Sequence, residues 1–318
     1  MQAIADHRVP PDVRTFLSAD RMLAFVKPDP DGVAPPSIAF GIRPIGIPSA
    51  FWRTAHRPLA TEATARWSER LLEMGQVGCG LRAGAEVPPR MLQAMLEFDP
   101  SCAIDSEDVK NAFNEVDREA VADVLKREDP ELYDYFMAYY QTGCLQLFRL
   151  FSGELHRLWS SVRGLIQGDA LAAVIFDIVY TVLVLKPVRE FYRESVVVLA
   201  LHDDTYAAGC PTLLPEVSKM LKEYAAKIGL VYGDAKRKLL QLLGNHGSRD
   251  ASLVLDQFPV GITLVNTSLK IGDVQVGSDN AVREKSKLSA RDYATYVSRI
   301  AGLVKLKVAP KMALLVSK

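Results

Sequence analysis

Residues 195–201 read SVVVLAL, an apolar run rich in β-branched side chains, which predicts a buried strand. It runs into His202, Asp203 and Asp204, and residues 205–209 have the pattern of a returning strand. Upstream, Val116, Ala120 and Val124 share one helical stripe, with Val121 and Leu125 beside it, and Asn114 stands where an N-cap would. Val217, Leu221 and Ala225 form a second stripe within 215–229, and 289–304 also reads as helix. The most apolar stretch, 171–185, is short for a bilayer crossing and contains Asp177, so a core helix is expected. Segments 27–41 and 244–250, rich in Pro, Gly and polar residues, read as loops. Acid-bearing strands backed by helices predict an α+β fold.

Composition narrows the class. The 318 residues are 49% hydrophobic and 24% charged, enough for a sizeable core and more than one subdomain. The four cysteines are far apart and form no C-x-x-C pair, which argues against a disulfide framework or zinc finger and for a reducing compartment. The first residues lack the apolar stretch of a signal peptide, so an intracellular protein, nuclear or cytoplasmic, away from membranes, is expected. The formal net charge is zero, but it is unevenly spread: from Lys219 onward 17 Lys and Arg stand against 8 Asp and Glu, whereas the first 218 residues have 21 against 30. A basic C-terminal third suits a phosphate backbone, while carboxylates gather elsewhere.

Two consecutive aspartates at the end of an apolar strand are costly unless something balances their charge. A third carboxylate nearby would make a site for hard divalent cations, which prefer oxygen ligands. Two such ions can support in-line displacement at phosphorus. The surrounding motifs favour this chemistry: IRPIGIP over 42–48, DVKNAFNEVDR over 108–118, GLIQGDALAAVIF over 164–176, GLVYGDAKRK over 229–238 and SLKIGDVQVGSD over 268–279.

In that order, these motifs resemble the reverse transcriptases of non-long-terminal-repeat retrotransposons. The resemblance spans nearly the whole chain and includes QVGCGLRAGAE over 76–86. It implies a right-hand polymerase with fingers and an N-terminal region over 1–98, a palm with an inserted fingers segment over 99–260, and a primer-grip hairpin with a partial thumb over 261–318. The implied activity is RNA-directed DNA synthesis with two Mg²⁺ ions, or Mn²⁺ in their place, on an RNA template, a DNA or RNA primer and dNTPs. Further domains or a larger assembly are compatible with it. The alternative is a catalytically silent relative that binds RNA or acts as a scaffold.

By resemblance, Asp108, Asp203 and Asp204 are the metal ligands and Lys236 assists the leaving pyrophosphate. Lys27 and Arg43 grip the triphosphate, Gln167 and Gly168 lie by the nucleotide, and Phe113 is a steric gate against the ribose 2′-hydroxyl. Gly272 and Gly277 shape the primer-grip hairpin. Asp105 competes with Asp108 as the first ligand, because the stretch AIDSE is polar for a buried strand. Leu201, Ala170 and Ala172 depart from the family pattern, and His202 and the aromatic run 133–140 are read as structural.

Overall fold

The computed structural model describes residues 10, 13, 17, 19–26, 42–141, 144–149, 155–233, 237–242, 262–271, 274–278 and 280–284, without the side chains of 24–26, 42–44, 144–146, 148–149 and 155–159. Lys27, Lys236, Gly272 and the expected helix at 289–304 lie outside the described residues.

The central sheet has five strands in the order β6-β7-β3-β8-β9: β3 (Ala103–Asp108), β6 (Val196–Leu201), β7 (Asp204–Gly209), β8 (Lys238–Gln241) and β9 (Thr263–Val265). All neighbours are antiparallel except β8 and β9. A four-stranded sheet, β2-β1-β4-β5, combines β1 (Asp20–Val26) and β2 (Ile42–Ile47) with β4 (Cys144–Arg149) and β5 (Leu155–Ser161). It therefore draws strands from both sides of β3 in sequence. The hairpin β10 (Ser268–Ile271) and β11 (Val274–Gly277) stands apart from both.

The helices include α1 (Ala50–Glu73), α2 (Val87–Phe98), the single turn α3 (Ala112–Glu115), α4 (Arg118–Glu128), α5 (Pro130–Tyr140), α6 (Ala170–Tyr180), α7 (Lys186–Tyr192) and α8 (Leu214–Lys227). Helix α6 is apolar on almost every side and is buried at nine of its eleven positions, as expected for a central helix. A π-helical segment, Thr181–Leu185, joins it to α7. The continuous run Ala170–Tyr192 has the length and composition of a bilayer-crossing helix, yet 72% of its most apolar window is buried inside the protein. It is the core helix of the fold.

Strand β3 explains its own polarity through the two-residue period of a strand. Ala103, Asp105 and Glu107 face one side, and Ile104, Ser106 and Asp108 the other. Ala103 joins the large core shared with the helices. Ile104 joins a smaller core with Leu92 and Leu96 of α2, Tyr206, Leu240 and the hairpin residues Leu269, Ile271 and Val276. Asp105 is 1% exposed and meets Arg237, whose Nε donates to Oδ1 at 3.0 Å and whose Nη2 donates to Oδ2. Arg237 also lies 3.4 Å from Glu107. The two acids of AIDSE thus share one face, where Arg237 meets them, and Asp108 lies on the other.

The cap of α4 differs from the sequence expectation. Asn114 lies inside α3, and Val116 is extended at φ −56° and ψ 134°, so the chain breaks before α4 begins. Asp117 is the N-cap, its carboxylate accepting from Glu119 N at 2.7 Å and Ala120 N at 3.1 Å.

Candidate active site

The acidic site forms where two antiparallel strand pairs end together. Leu201 pairs with Asp204 across β6 and β7, leaving His202 and Asp203 as a two-residue turn. Asp204 also pairs directly with Asp108 across β7 and β3. The ladders thus bring together acids that are almost a hundred residues apart in sequence. Burial, followed by repulsion from Asp108, raises the Asp203 carboxyl above its ordinary range. A bound cation would reverse that balance. Three carboxylates meeting at a partly buried tip are a suitable oxygen donor set for Mg²⁺ or Mn²⁺.

The aspartates open onto a cleft of about 780 Å³, also lined by Lys110, Asn111, Phe113, Gln167 and Ala173. The Phe113 ring stacks on Phe176 of α6 with centroids 4.8 Å apart, and this fixes the position of the ring. The Phe113 carbonyl accepts from Leu165 N at 2.5 Å, tying the NAFN turn to the loop that carries Gln167. Arg118 holds the same loop by donating to Gly164 O and Ser161 O, each at 2.8 Å. The next motif lies beside the first aspartate: Gly233 N donates to Asp108 O and Lys110 N to Val231 O, each at 2.8 Å.

Gly168 comes so close to β2 that a Cβ there would lie 2.0 Å from the carbonyl oxygen of Gly46. The QG loop therefore packs on the strand that carries Arg43, which pairs with Phe25. Asp169 has a structural role. It caps α6 by accepting from Leu171 N at 3.2 Å, lies 2.6 Å from His56 Nδ1, and accepts from the Tyr140 hydroxyl at 3.0 Å. The final hairpin is fixed to α2 by the Gln93 amide, which accepts from Gly277 N at 2.9 Å and donates to its carbonyl at 3.2 Å. Gly277 has φ +149°, and a Cβ there would meet Thr267 O at 2.2 Å.

No protein-family model matches the chain. Over 210 residues it is 24% identical to the retrotransposable element SLACS 132 kDa protein of Trypanosoma brucei gambiense, a match covering 64% of this chain and 17% of that protein. Among solved structures it is similar to apo telomerase from Candida tropicalis, with a TM-score of 0.58 and 12% identity over 85% of this chain and 48% of that one. Telomerase from Candida albicans, in complex with a TWJ fragment of telomeric RNA, gives a TM-score of 0.56 and 10% identity over 85% and 46%. The chain has the right-hand polymerase fold of reverse transcriptases. It spans about half the length of those telomerase chains and about a sixth of the retrotransposon protein.

Within this fold, the structure groups residues that sequence spacing left apart. His202 has φ +57° in the turn. Its Nδ1 lies 3.0 Å from Oδ1 of Asp177, which is wholly buried in α6. Burial would lower the His202 pKa, but the hydrogen bond to Asp177 and its charge outweigh this and raise it. Cys79 also hydrogen-bonds Asp177, and burial pushes its thiol pKa far up. The ligand atoms of Cys79, Asp177 and His202 all lie within 4.8 Å of one another, a donor set able to hold a borderline metal such as zinc. The three come from separate segments, so no local spacing could have revealed the cluster. In the sequence, Cys79 lies in the motif 76–86 and Asp177 interrupts the apolar run 171–185.

Proposed function

We propose that the chain is an RNA-directed DNA polymerase that adds deoxynucleotides to a primer 3′ end. The observation that carries this reading is the direct pairing of Asp108 with Asp204, with Asp203 at the adjoining tip, in a cleft that also holds Phe113. In the reaction, the primer hydroxyl gives up its proton to solvent as its oxygen forms a bond to the α-phosphorus, the bond from that phosphorus to the bridging oxygen breaks, and pyrophosphate leaves with the electron pair of that bond. Asp108, Asp203 and Asp204 would hold two Mg²⁺ ions. The chemistry such a pair supplies is a lower hydroxyl pKa and neutralised charge on the attacking and leaving oxygens.

The protein's own contribution is mainly positioning. Phe113, braced by Phe176, would present a bulky edge to C2′ of the sugar and exclude a 2′-hydroxyl. Gln167 and the backbone at Gly168 would lie along the base pair being formed. Arg43 and Lys27 would bind the triphosphate, and Lys236 would assist pyrophosphate departure. A forked guanidinium suits bidentate phosphate contacts, whereas an ammonium acts as a point charge. The substrates are an RNA template, a DNA or RNA primer and dNTPs.

Primer extension tests the reading. With an RNA template, a DNA primer and Mg²⁺, the folded protein should extend with dNTPs, and Asp203→Ala should abolish extension without unfolding the chain. No extension by folded protein across salt and metal conditions would favour a silent RNA-binding relative. Extension with ribonucleotides alone would move the assignment to an RNA polymerase.

A further inference from the structure

Segment 75–79 runs along the edge of β6. Val77 N donates to Ala200 O, and Ala200 N donates to Gly75 O, each at 2.8 Å. Gln76 forms a parallel bridge with Ala200, and this carries its side chain, wholly buried, to the turn that bears Asp203. There Oε1 accepts from His202 N at 2.9 Å and from Gly78 N at 3.0 Å, while Nε2 donates to His202 O at 3.1 Å. One side chain therefore satisfies both backbone polar groups of His202.

His202 needs such support. It is the first residue of a two-residue hairpin turn and has a positive φ, a position where glycine is favoured. A side chain held in that conformation persists when its surroundings fix it. Gln76 fixes the backbone, and Asp177 fixes the ring.

We propose that Gln76 is a positioning residue for the metal-binding carboxylates: by clamping His202, it sets the direction in which Asp203 leaves the turn. This rests on the polymerase reading of the acidic site given above. It assigns a role to the motif 76–86, which that reading leaves unused. A glutamine that merely completed the sheet edge would affect folding and every binding step together. A clamp on the turn would act on metal affinity and turnover while leaving duplex binding intact.

The test compares wild type with Gln76→Met, similar in size but unable to make the three hydrogen bonds. Melting temperature, primer–template Kd by anisotropy, kcat at saturating dNTP, and Mn²⁺ affinity without substrate are measured for both. The clamp predicts an unchanged Kd for the duplex, a kcat lower by roughly 30- to 100-fold, and Mn²⁺ binding weakened by roughly tenfold or more. Unchanged kcat and Mn²⁺ affinity in folded Gln76→Met would overturn it. So would a parallel loss of duplex affinity and kcat with Mn²⁺ affinity intact. If Gln76→Met does not fold, Gln76→Glu keeps the acceptor for both N–H groups and loses the donor to His202 O. Its Mn²⁺ affinity should still fall, and no change would overturn the clamp. If wild type extends no primer, the polymerase reading fails, while the Mn²⁺ comparison still decides the role of Gln76.

Discussion

Asp108 and Asp204 are directly opposed across the β3–β7 ladder, each at the strand end that opens into the cleft. Like charges opposed in this way destabilise a sheet. Asp108→Asn should therefore raise the melting temperature in metal-free buffer by up to a few degrees. The same change should lower nucleotide incorporation by roughly 10³-fold, because several kcal/mol of charge stabilisation in the transition state would be lost. Calorimetry in chelator alongside primer extension checks both signs; a variant that melts lower and stays active would remove Asp108 from the site.

Asp105 should behave in the opposite way. Its carboxylate is buried against Arg237, which is 2% exposed. Removing one partner of a buried pair leaves the other charged group without compensation, at about 3–5 kcal/mol. Asp105→Ala should show that loss in denaturant melts. At a temperature where the variant stays folded, its Mn²⁺ affinity should match wild type. Loss of Mn²⁺ binding with normal stability would exchange the roles of Asp105 and Asp108.

Phe113 stands in the acidic cleft, stacked on Phe176. Phe113→Val would open space beside the sugar. The preference for dNTP over the matching ribonucleotide should fall by roughly 10- to 100-fold, the range for one pocket contact. Single-nucleotide incorporation with both substrates measures the ratio, and an unaltered ratio would deny the ring its gating role.

Asp20 gives a pH signature distant from the acidic cleft. It is wholly buried, accepts from the Tyr139 hydroxyl at 2.6 Å, and has a carboxyl pushed up to about 7 by burial. An acid whose pKa is raised on folding stabilises fully below its unfolded pKa, and that contribution disappears as pH rises through the folded value. Thermal stability should therefore decline from about pH 4 to pH 7. Asp20→Asn keeps an acceptor for Tyr139 and should flatten the decline; an equally steep slope in the variant would rule out Asp20 as its source.

Strands, helices and motif order were legible because they depend on local patterns. SVVVLAL gave β6, and the stripe of Val217, Leu221 and Ala225 gave α8. The cap of α4 moved from Asn114 to Asp117 because the break at Val116 depends on a backbone torsion that side-chain periodicity does not encode. Spacing to NAFN and to Phe113 favours Asp108 over Asp105 as the first ligand, but the contact of Asp105 with Arg237 has no local signal. That contact spans more than a hundred residues.

The sequence by itself determined the ingredients: an α+β chain, three aspartates on strand ends, an aromatic residue five positions after the first, and motifs in reverse-transcriptase order. Residue type and short-range periodicity are enough for these. The tertiary structure alone decided which acids meet, through the register that sets Asp108 against Asp204. It also brought Gln76 to the backbone of His202 and Asp177 to its ring. Strand pairing and burial bring distant residues to within a few ångströms, so the surroundings of the turn exist only in the folded chain.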